Sequence, residues 1–283
     1  MGIFGNFFKS KNKEIDLKKE DSIVEESDFS NFYLITEYIY EKSGIVDLDK
    51  RALPLSSLKR LALKLKLYTT EEFLKMMRED KSFYQEVLNI ITVNETFFFR
   101  EIKELEWLIS YIRTTQKNLK ILSLPCSSGE EVYSILILLD VAGIDLNRVE
   151  MIGYDINSVA LANAKKGVFS EHSLHKLSNV QRDKYFTSFD NNMYEIVEKY
   201  KNKVTFLQKN IFELTEKDTF DIVLSRNMFI YFDDVKRRKA LDIIVDSIKD
   251  GGYYIKGHAD NIYNHPQLKC ESYGIYAIDK KKR

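Results

Sequence analysis

The sequence predicts an α/β fold in which helices flank a mostly parallel sheet, preceded by a small all-α domain. From residue 119 onward, short apolar runs alternate with helical segments, a pattern typical of repeated strand–helix units. Residues 28–110 instead space their apolar side chains helically and show no strand-like alternation. The 283 residues, 44% of them hydrophobic, suffice for one large domain or two smaller ones.

The first part of the chain is polar and then helical. Residues 1–27 are mostly Lys, Glu, Asp and Ser, which predicts a disordered tail; the alternative is a docking peptide carried by its phenylalanines. Residues 28–110 predict an N-terminal helical domain and linker. No acid lies between Lys50 and Thr70, and the cations there form either a solvated helix face or a docking surface for an acidic partner. On one helix, Lys59 and Lys66 would share a face, with two further cations beside them: Arg60 and Lys64.

Residues 111–283 predict the sheet domain. The segment 168–203 is polar and aromatic, and it is too long for a simple loop, so it predicts an inserted subdomain with a helix and a small excursion or hairpin. A short helix at Val159–Lys166 is expected to end at Gly167. The expected strands are Leu119–Leu124, Val149–Tyr154, Val204–Gln208, Phe220–Ser225, Tyr253–Lys256 and an edge strand at Tyr273–Ile278.

Composition excludes several classes of function. Lys and Arg total 43 and balance 43 acids, so no overall charge favours nucleic acid or an anionic membrane. Cys126 and Cys270 are the only cysteines, which indicates an intracellular protein without a disulfide framework. No apolar run approaches the ~18–20 residues of a membrane span, and the N-terminus lacks a signal-peptide pattern. We therefore expect a cytoplasmic protein, and no metal site, since His172 and His175 lack partners at ligand spacing.

One stretch, SLPCSSGEEVYSILILL at 123–139, predicts a strand, a tight turn and a helix. Such a turn places backbone N–H groups and a helix N-terminus against a ligand. Glu130 and Glu131 follow Gly129 directly, and two carboxylates there disfavour a phosphate. They favour a ligand with positive charge and free hydroxyls.

Polar residues follow the other predicted strands and converge with this turn on one crevice. Asp155 follows the second strand, where an acid in a doubly wound fold holds a ribose diol. Asn210 and Ile211 suit an adenine edge, and Arg226 and Asn227 follow the next strand. An adenosine without phosphates fits these residues, which indicates S-adenosylmethionine rather than NAD or ATP.

A polar and aromatic segment, NETFFFRE at 94–101, precedes the sheet domain. Its three consecutive phenylalanines are expected to fill a core. Asn94, Thr96 and Arg100 can present hydrogen-bond donors into a cleft.

Taken together, these motifs resemble the CheR-type chemotaxis methyltransferases, which methylate glutamates of bacterial chemoreceptors. The matching pieces, in the family's order, are NETFFFRE, CSSGEEVYS, GYDIN, AKKGVF, SRNMFIYFD and GGYYIKGHADN, and they cover about residues 30–278. The resemblance implies a Rossmann-like S-adenosylmethionine-dependent methyltransferase domain with a small inserted subdomain. It places Tyr231 near the transfer site and implies cofactor contacts at Asn94, Thr96, Arg100, Glu130, Asp155, Asn210, Ile211, Arg226 and Asn227.

The chain departs from the family pattern in places. Asn157 stands where a second acid often follows Asp155, and leucines and Ser57 replace expected arginines around Lys59. Family members that bind a tethering peptide at the receptor C-terminus have a glycine-containing loop in the subdomain. No glycine lies between Gly167 and Gly251 here, so we expect tethering to be weak or absent.

The expected reaction is transfer of the sulfonium methyl group to a glutamate carboxylate, with S-adenosylhomocysteine as the product. A solvent-exposed glutamate has a pKa near ~4.3, so it is already a nucleophile at pH 7 and needs no general base. Either Arg100 or Arg226 is expected to orient a carboxylate. The expected partner of this monomer is the cytoplasmic helical region of chemoreceptors. Two alternatives are an amine methyltransferase and a non-catalytic receptor-binding module of the same fold.

Overall fold

The computed structural model describes residues 28–46 and 52–282, with side chains from residue 55 in the second stretch. The described residues form two compact units, one from residues 28–42 and 52–91 and the other from residues 43–46 and 92–282. The division falls between Ile91 and Thr92, within the segment that the sequence assigns to the helical domain and its linker. The prediction for the tail 1–27 lies outside the described residues.

The first unit is helical in its described part. Its helices are α1 (Tyr33–Ser43), α2 (Ala52–Lys64), α3 (Thr70–Glu79) and α4 (Lys81–Ile91). Helix α3 begins at a capping box in which Thr69 accepts from the Glu72 backbone and Glu72 accepts from the Thr69 backbone. Phe73 and Phe83 meet edge to face in its core at 5.0 Å between ring centroids.

The second unit is built on a seven-stranded sheet in the order β6-β2-β1-β7-β8-β10-β9. The first five strands in this order run parallel, and β10 is antiparallel to both of its neighbours. The strands of this sheet are β1 (Leu119–Ser123), β2 (Val149–Asp155), β6 (Val204–Gln208), β7 (Phe220–Ser225), β8 (Ile248–Lys256), β9 (Leu268–Ser272) and β10 (Ile275–Ile278). The strand expected at Tyr273–Ile278 is β10, but it is not the edge strand, because the edge is formed by β9, which the sequence did not predict.

Side-chain alternation divides the core into one layer on each face of this sheet. Ile121 belongs to one cluster of buried side chains, whereas its neighbour Leu122 belongs to the other. The Ile121 layer is completed by α5 (Ile102–Thr114) and α6 (Glu130–Val141), and the Leu122 layer by α10 (Asp234–Ser247). The strand order reverses between β1 and β7, and in open α/β sheets this position has a crevice at the carboxyl ends of the strands.

The segment 168–203 forms a three-stranded antiparallel sheet in the order β3-β5-β4. Phe98 is fully buried and meets Phe169 and Phe186 of this sheet edge to face, at 4.9 and 5.1 Å. Phe98, the middle phenylalanine of the three, therefore packs the inserted subdomain against the segment that precedes α5. The elements here are α7 (Ser158–Lys166), β3 (Val168–Ser170), α8 (Asn179–Tyr185), β4 (Phe186–Asp190), β5 (Met193–Ile196) and α9 (Glu198–Lys201).

In the stretches that the structure describes, no helix is long and apolar enough to cross a membrane.

Candidate functional site

A cavity lies at the carboxyl ends of β1, β2, β6 and β7, inside the second unit. Its empty volume is about 990 Å³, including the open space at its mouth. Nine of the ten residues predicted for the cofactor or the transfer step line it: Asn94, Thr96, Arg100, Asp155, Asn210, Ile211, Arg226, Asn227 and Tyr231.

In the turn after β1, the backbone packs closely against neighbouring side chains. Gly129 has φ +95°, and a Cβ there would lie 3.1 Å from both Ala164 and Tyr133, so the position requires glycine on two grounds. Ser127, two residues earlier, has φ +49°. The turn delivers the first turn of α6 to the cavity, as the sequence pattern predicts.

Asp155 sits at the end of β2 with 3% of its surface exposed. One carboxylate oxygen accepts from the backbone N–H of Ser127 at 2.7 Å, and the other accepts from Asn157 at 2.8 Å. Burial raises the pKa of Asp155 to about 6, although the backbone donors oppose this shift. Its two oxygens still have lone pairs that can accept from a ligand diol at this wall of the cavity.

Arg226, at the end of β7, is held entirely by protein groups. Its Nη1 donates to Glu131 at 2.6 Å, its Nε and Nη2 donate to Glu101 at 3.2 Å each, and Nη2 also donates to the carbonyl of Arg100. Burial would lower the pKa of Arg226, but the two carboxylates outweigh burial and raise it. The side chain is 4% exposed, so this guanidinium is a fixed internal cation.

Arg100 contrasts with Arg226. Its Nη1 donates to the backbone carbonyl of Glu95 at 2.7 Å, and its guanidinium lies 5.9 Å from the Phe97 ring centroid. Within the described part of the chain, no carboxylate forms an ion pair with it. Of the two arginines on the cavity wall, Arg100 therefore has donors to spare for a carboxylate.

The other predicted residues are placed by short local contacts. Asn210 begins a 3₁₀ turn and accepts from the backbone of Phe212 at 3.0 Å, while Ile211 beside it is buried. Tyr231 donates its hydroxyl to the carbonyl of Val93 at 2.9 Å. Asn94 is exposed, with its amide 3.4 Å from the Thr92 carbonyl. Thr96 is half-buried on the same wall.

Glu130 departs from the sequence-based assignment, because it does not line the cavity. It is buried at 3% exposure, accepts from the Ser128 hydroxyl at 2.7 Å, and burial raises its pKa. Successive helix residues point about 100° apart, so only one acid of the pair can face the cavity. That acid is Glu131, which the sequence left undecided, and it accepts from both Ser123 and Arg226.

Two further acids were missed as parts of the site. Glu101 joins Arg226 to the backbone N–H of His258, which lies 3.2 Å from its carboxylate. Asp260 accepts from the backbone N–H groups of Asn227, Phe229 and Gly257 at 2.5, 2.8 and 3.1 Å. It thereby holds Asn227 at φ +62° on the cavity wall. Both acids lie inside the matching motifs, but only three-dimensional contacts show their use.

Left-handed backbone occurs at two residues of the cavity wall, Ser127 and Asn227, and at the two neighbours of Arg100. Phe99, Glu101, Ser127 and Asn227 all have φ between +49° and +62°. Such conformations cost of order 1–3 kcal/mol each and persist where surrounding contacts impose them. Strain here is consistent with a site whose geometry is fixed before a ligand binds.

Glu101, Glu104 and His258 place one potential ligand atom each within 4.8 Å of one another. The His258 ring contacts Glu104 at 2.6 Å, while Arg226 neutralises Glu101. The other carboxylate oxygen of Glu104 is buried without a hydrogen-bond partner.

The four basic residues proposed for docking belong to the first unit. Lys59, Arg60 and Lys64 are exposed on α2. Helix α2 ends at Lys64, so Lys66 follows the helix at φ +59° and does not continue a face with Lys59. The expectation that Lys59 and Lys66 share a helix face is corrected in this respect.

Known proteins resemble this chain over the same elements. A family described as "CheR methyltransferase, SAM binding domain" matches residues 94–275. Chemotaxis protein methyltransferase 2 of Vibrio cholerae is 32% identical and aligns over 92% of this chain and 96% of its own. The chemotaxis protein methyltransferase of Campylobacter jejuni is 33% identical over 79% and 86%, and that of Escherichia coli is 28% identical over 89% and 91%.

Proposed function

Because the chain belongs to the CheR methyltransferase family, we propose that it transfers a methyl group from S-adenosylmethionine to glutamate carboxylates of chemoreceptors. The product would be a glutamate methyl ester. The observation that carries this proposal is the pairing of a phosphate-free adenosine site with an arginine, Arg100, that is free to bind a carboxylate.

The cavity residues fit S-adenosylmethionine. Asp155 offers a buried carboxylate for hydroxyl donors, and Ile211 offers an apolar surface for an adenine ring. Glu131 lies on the same wall but is ion-paired with Arg226, so Asp155 is the carboxylate that remains there for a ligand. Asn94 and Thr96 supply further polar groups on the opposite segment.

When bound, S-adenosylmethionine supplies an electrophilic sulfonium methyl group, so that a carboxylate oxygen forms a C–O bond as the C–S bond breaks. The substrate glutamate is ionised at pH 7 and needs no base from the protein. Arg100 would hold its carboxylate in line through charge-assisted hydrogen bonds. Tyr231 and Phe97 would border the reacting groups and exclude water.

Docking is proposed to involve Lys59, Arg60, Lys64 and Lys66, which are exposed cations suited to an acidic helical partner. We propose the cytoplasmic helical region of chemoreceptors as that partner, with the protein acting as a cytoplasmic monomer. No nucleic-acid partner is proposed.

The test is incubation with methyl-labelled S-adenosylmethionine and purified chemoreceptor cytoplasmic fragments. We expect label on the fragment at glutamate, located by tandem mass spectrometry, and its loss as methanol in mild base. A base-stable label on an amine would instead support an amine methyltransferase. Tight binding of S-adenosylhomocysteine without any transfer would support a non-catalytic receptor-binding module.

A further inference from the structure

The segment Ser43–Val46 lies at the end of α1 in the chain, yet it belongs to the second unit. Ser43 and Ile45 line the cavity, and Ile45 is buried, with 4% of its surface exposed. The sequence pattern assigns this segment to the helical domain, and the first cofactor residue that it indicates is Asn94. The cavity wall therefore includes a segment that lies well before the predicted cofactor residues.

Two contacts hold this segment against neighbouring loops of the second unit. The backbone N–H of Val46 donates to the carbonyl of Tyr231 at 2.9 Å. Gly44 has φ +78°, and a Cβ there would clash with the ring of Phe212, so the position requires glycine on both grounds. Ile45 lies between these two residues, and its place on the cavity wall is therefore fixed by its neighbours on both sides.

These contacts place Ile45 at the end of the cavity that is proposed for the adenine ring. Phe212 directly follows Ile211, which offers an apolar surface to adenine. The ring of Phe212 contacts Gly44 and also packs against Phe232, a further cavity residue, at 5.3 Å between ring centroids. Ile45, Ile211 and Phe232 therefore line the same end of the cavity.

An apolar end of this kind suits a purine ring. The faces of adenine are flat and apolar, whereas its hydrogen-bonding groups lie on its edge. An aliphatic side chain against a face therefore removes apolar surface from water without displacing a polar partner. The Ile45 side chain carries no polar atom, and its backbone is already fixed, so little order has to be gained when a ligand binds.

We propose that Ile45 contacts the adenine ring of S-adenosylmethionine and contributes to its affinity, while Gly44 and the hydrogen bond from Val46 to Tyr231 position it. This inference rests on the proposed function, because S-adenosylmethionine is there the ligand of the cavity. It adds a binding residue from the end of α1 to those that follow the strands and to those before α5.

The test is calorimetric titration of Ile45→Ala with S-adenosylhomocysteine. Loss of the aliphatic surface against the ring should raise the Kd by about tenfold, and Ile45→Val, which removes one carbon, should raise it by about threefold. The matched control is Ile278→Ala, a similarly buried isoleucine of the second unit that is not among the residues lining the cavity. It should lower the free energy of unfolding and keep the Kd within twofold.

A second ligand identifies the part of the cofactor that Ile45 contacts. The nucleoside 5′-methylthioadenosine keeps the adenine and the ribose but lacks the amino-acid group. Ile45→Ala should therefore weaken its binding by the same factor as that of S-adenosylhomocysteine. A weakened Kd for S-adenosylhomocysteine alone would overturn the adenine contact. Equal Kd values for Ile45→Ala and the unaltered protein would overturn it too, as would an equal rise in the Ile278→Ala control.

These binding measurements do not depend on which group accepts the methyl. Label transfer by the unaltered protein, together with an unchanged Kd in Ile45→Ala, would contradict this inference alone. The expected Kd changes without label transfer to a chemoreceptor fragment would contradict the proposed function and leave the adenine contact supported. Ile45→Val is the more conservative variant, and it carries the same comparison where Ile45→Ala does not fold.

Discussion

The Arg226 guanidinium and the Glu131 carboxylate meet at 2.6 Å, with only 4% and 13% of their side chains exposed. This buried ion pair joins the loop after β7 to the first turn of α6, and Glu101 completes it from the segment before α5. Three segments of the cavity wall are therefore fixed by one arginine. Arg226 already donates its hydrogen bonds to these protein groups. We therefore propose Arg100 as the residue that orients the substrate carboxylate.

Glu131→Ala should destabilise the second unit. It leaves a buried cation with one carboxylate instead of two, and breaking such pairs costs roughly 3–5 kcal/mol. We expect the free energy of unfolding to fall by about 3 kcal/mol, the lower end of this range, because Glu101 still pairs with Arg226. Trp107, the single tryptophan, lies in this unit and reports its urea unfolding. The exposed Glu106→Ala is the matched control and should change stability by no more than about 0.5 kcal/mol.

Arg100→Ala should lower kcat/KM for the receptor fragment by about 100-fold, since a charge-assisted clamp on a carboxylate is worth roughly 2–3 kcal/mol. Arg100→Lys should recover only part of this loss, because lysine keeps the charge but not the bidentate fork. Steady-state kinetics of these two variants would test this prediction, with Arg113→Ala, at an exposed arginine, as the control. Full activity in Arg100→Ala would show that Arg100 does not orient the substrate carboxylate.

Asp155→Ala should weaken S-adenosylhomocysteine binding by one to three orders of magnitude, as expected for the loss of one or two charge-assisted hydrogen bonds of roughly 1.5–3 kcal/mol. Calorimetric titration measures the Kd, and tryptophan-detected unfolding shows whether the fold survives. Asp145→Ala, in an exposed loop, serves as the control. An unchanged Kd would remove Asp155 from the site.

Acid should weaken the binding of S-adenosylhomocysteine through Asp155. Burial raises its pKa from the ordinary 3.8 to about 6 in the empty protein. Protonation therefore stabilises the folded empty protein below about pH 4, and this contribution is lost as the pH rises through 6. Hydroxyl donors bind the ionised carboxylate, so the Kd should be flat above pH 7 and rise up to about tenfold per unit below 6. A flat profile from pH 5 to 8 would contradict this assignment.

The sheet and the crevice could be predicted from the sequence because apolar runs and strand-end polar residues carry a local signal. Strand β6 at Val204–Gln208 and strand β7 at Phe220–Ser225 match their predicted bounds. Asp155 and Arg226 are each next to a strand end, so the parallel topology alone brings them together. The family resemblance drawn from these motifs is confirmed by the match over residues 94–275.

Other features depend on contacts between distant residues. Which of Glu130 and Glu131 faces the cavity depends on the rotation of α6, which packing against the sheet decides. Asp260 acts on Asn227 from 33 positions away, and no spacing rule links them. Strand β9 was not predicted because it is short and exposed at four of its five residues, so it lacks apolar alternation.

The measurement that tests the central claim most directly is the chemical stability of the methyl group transferred to a chemoreceptor fragment. The fragment is labelled with methyl-labelled S-adenosylmethionine, separated from free cofactor and treated with mild base. The account predicts that the unaltered protein transfers label that is released as volatile methanol, and that Arg100→Ala transfers far less. Label that stays on the fragment in base would contradict a glutamate ester and with it the proposed reaction.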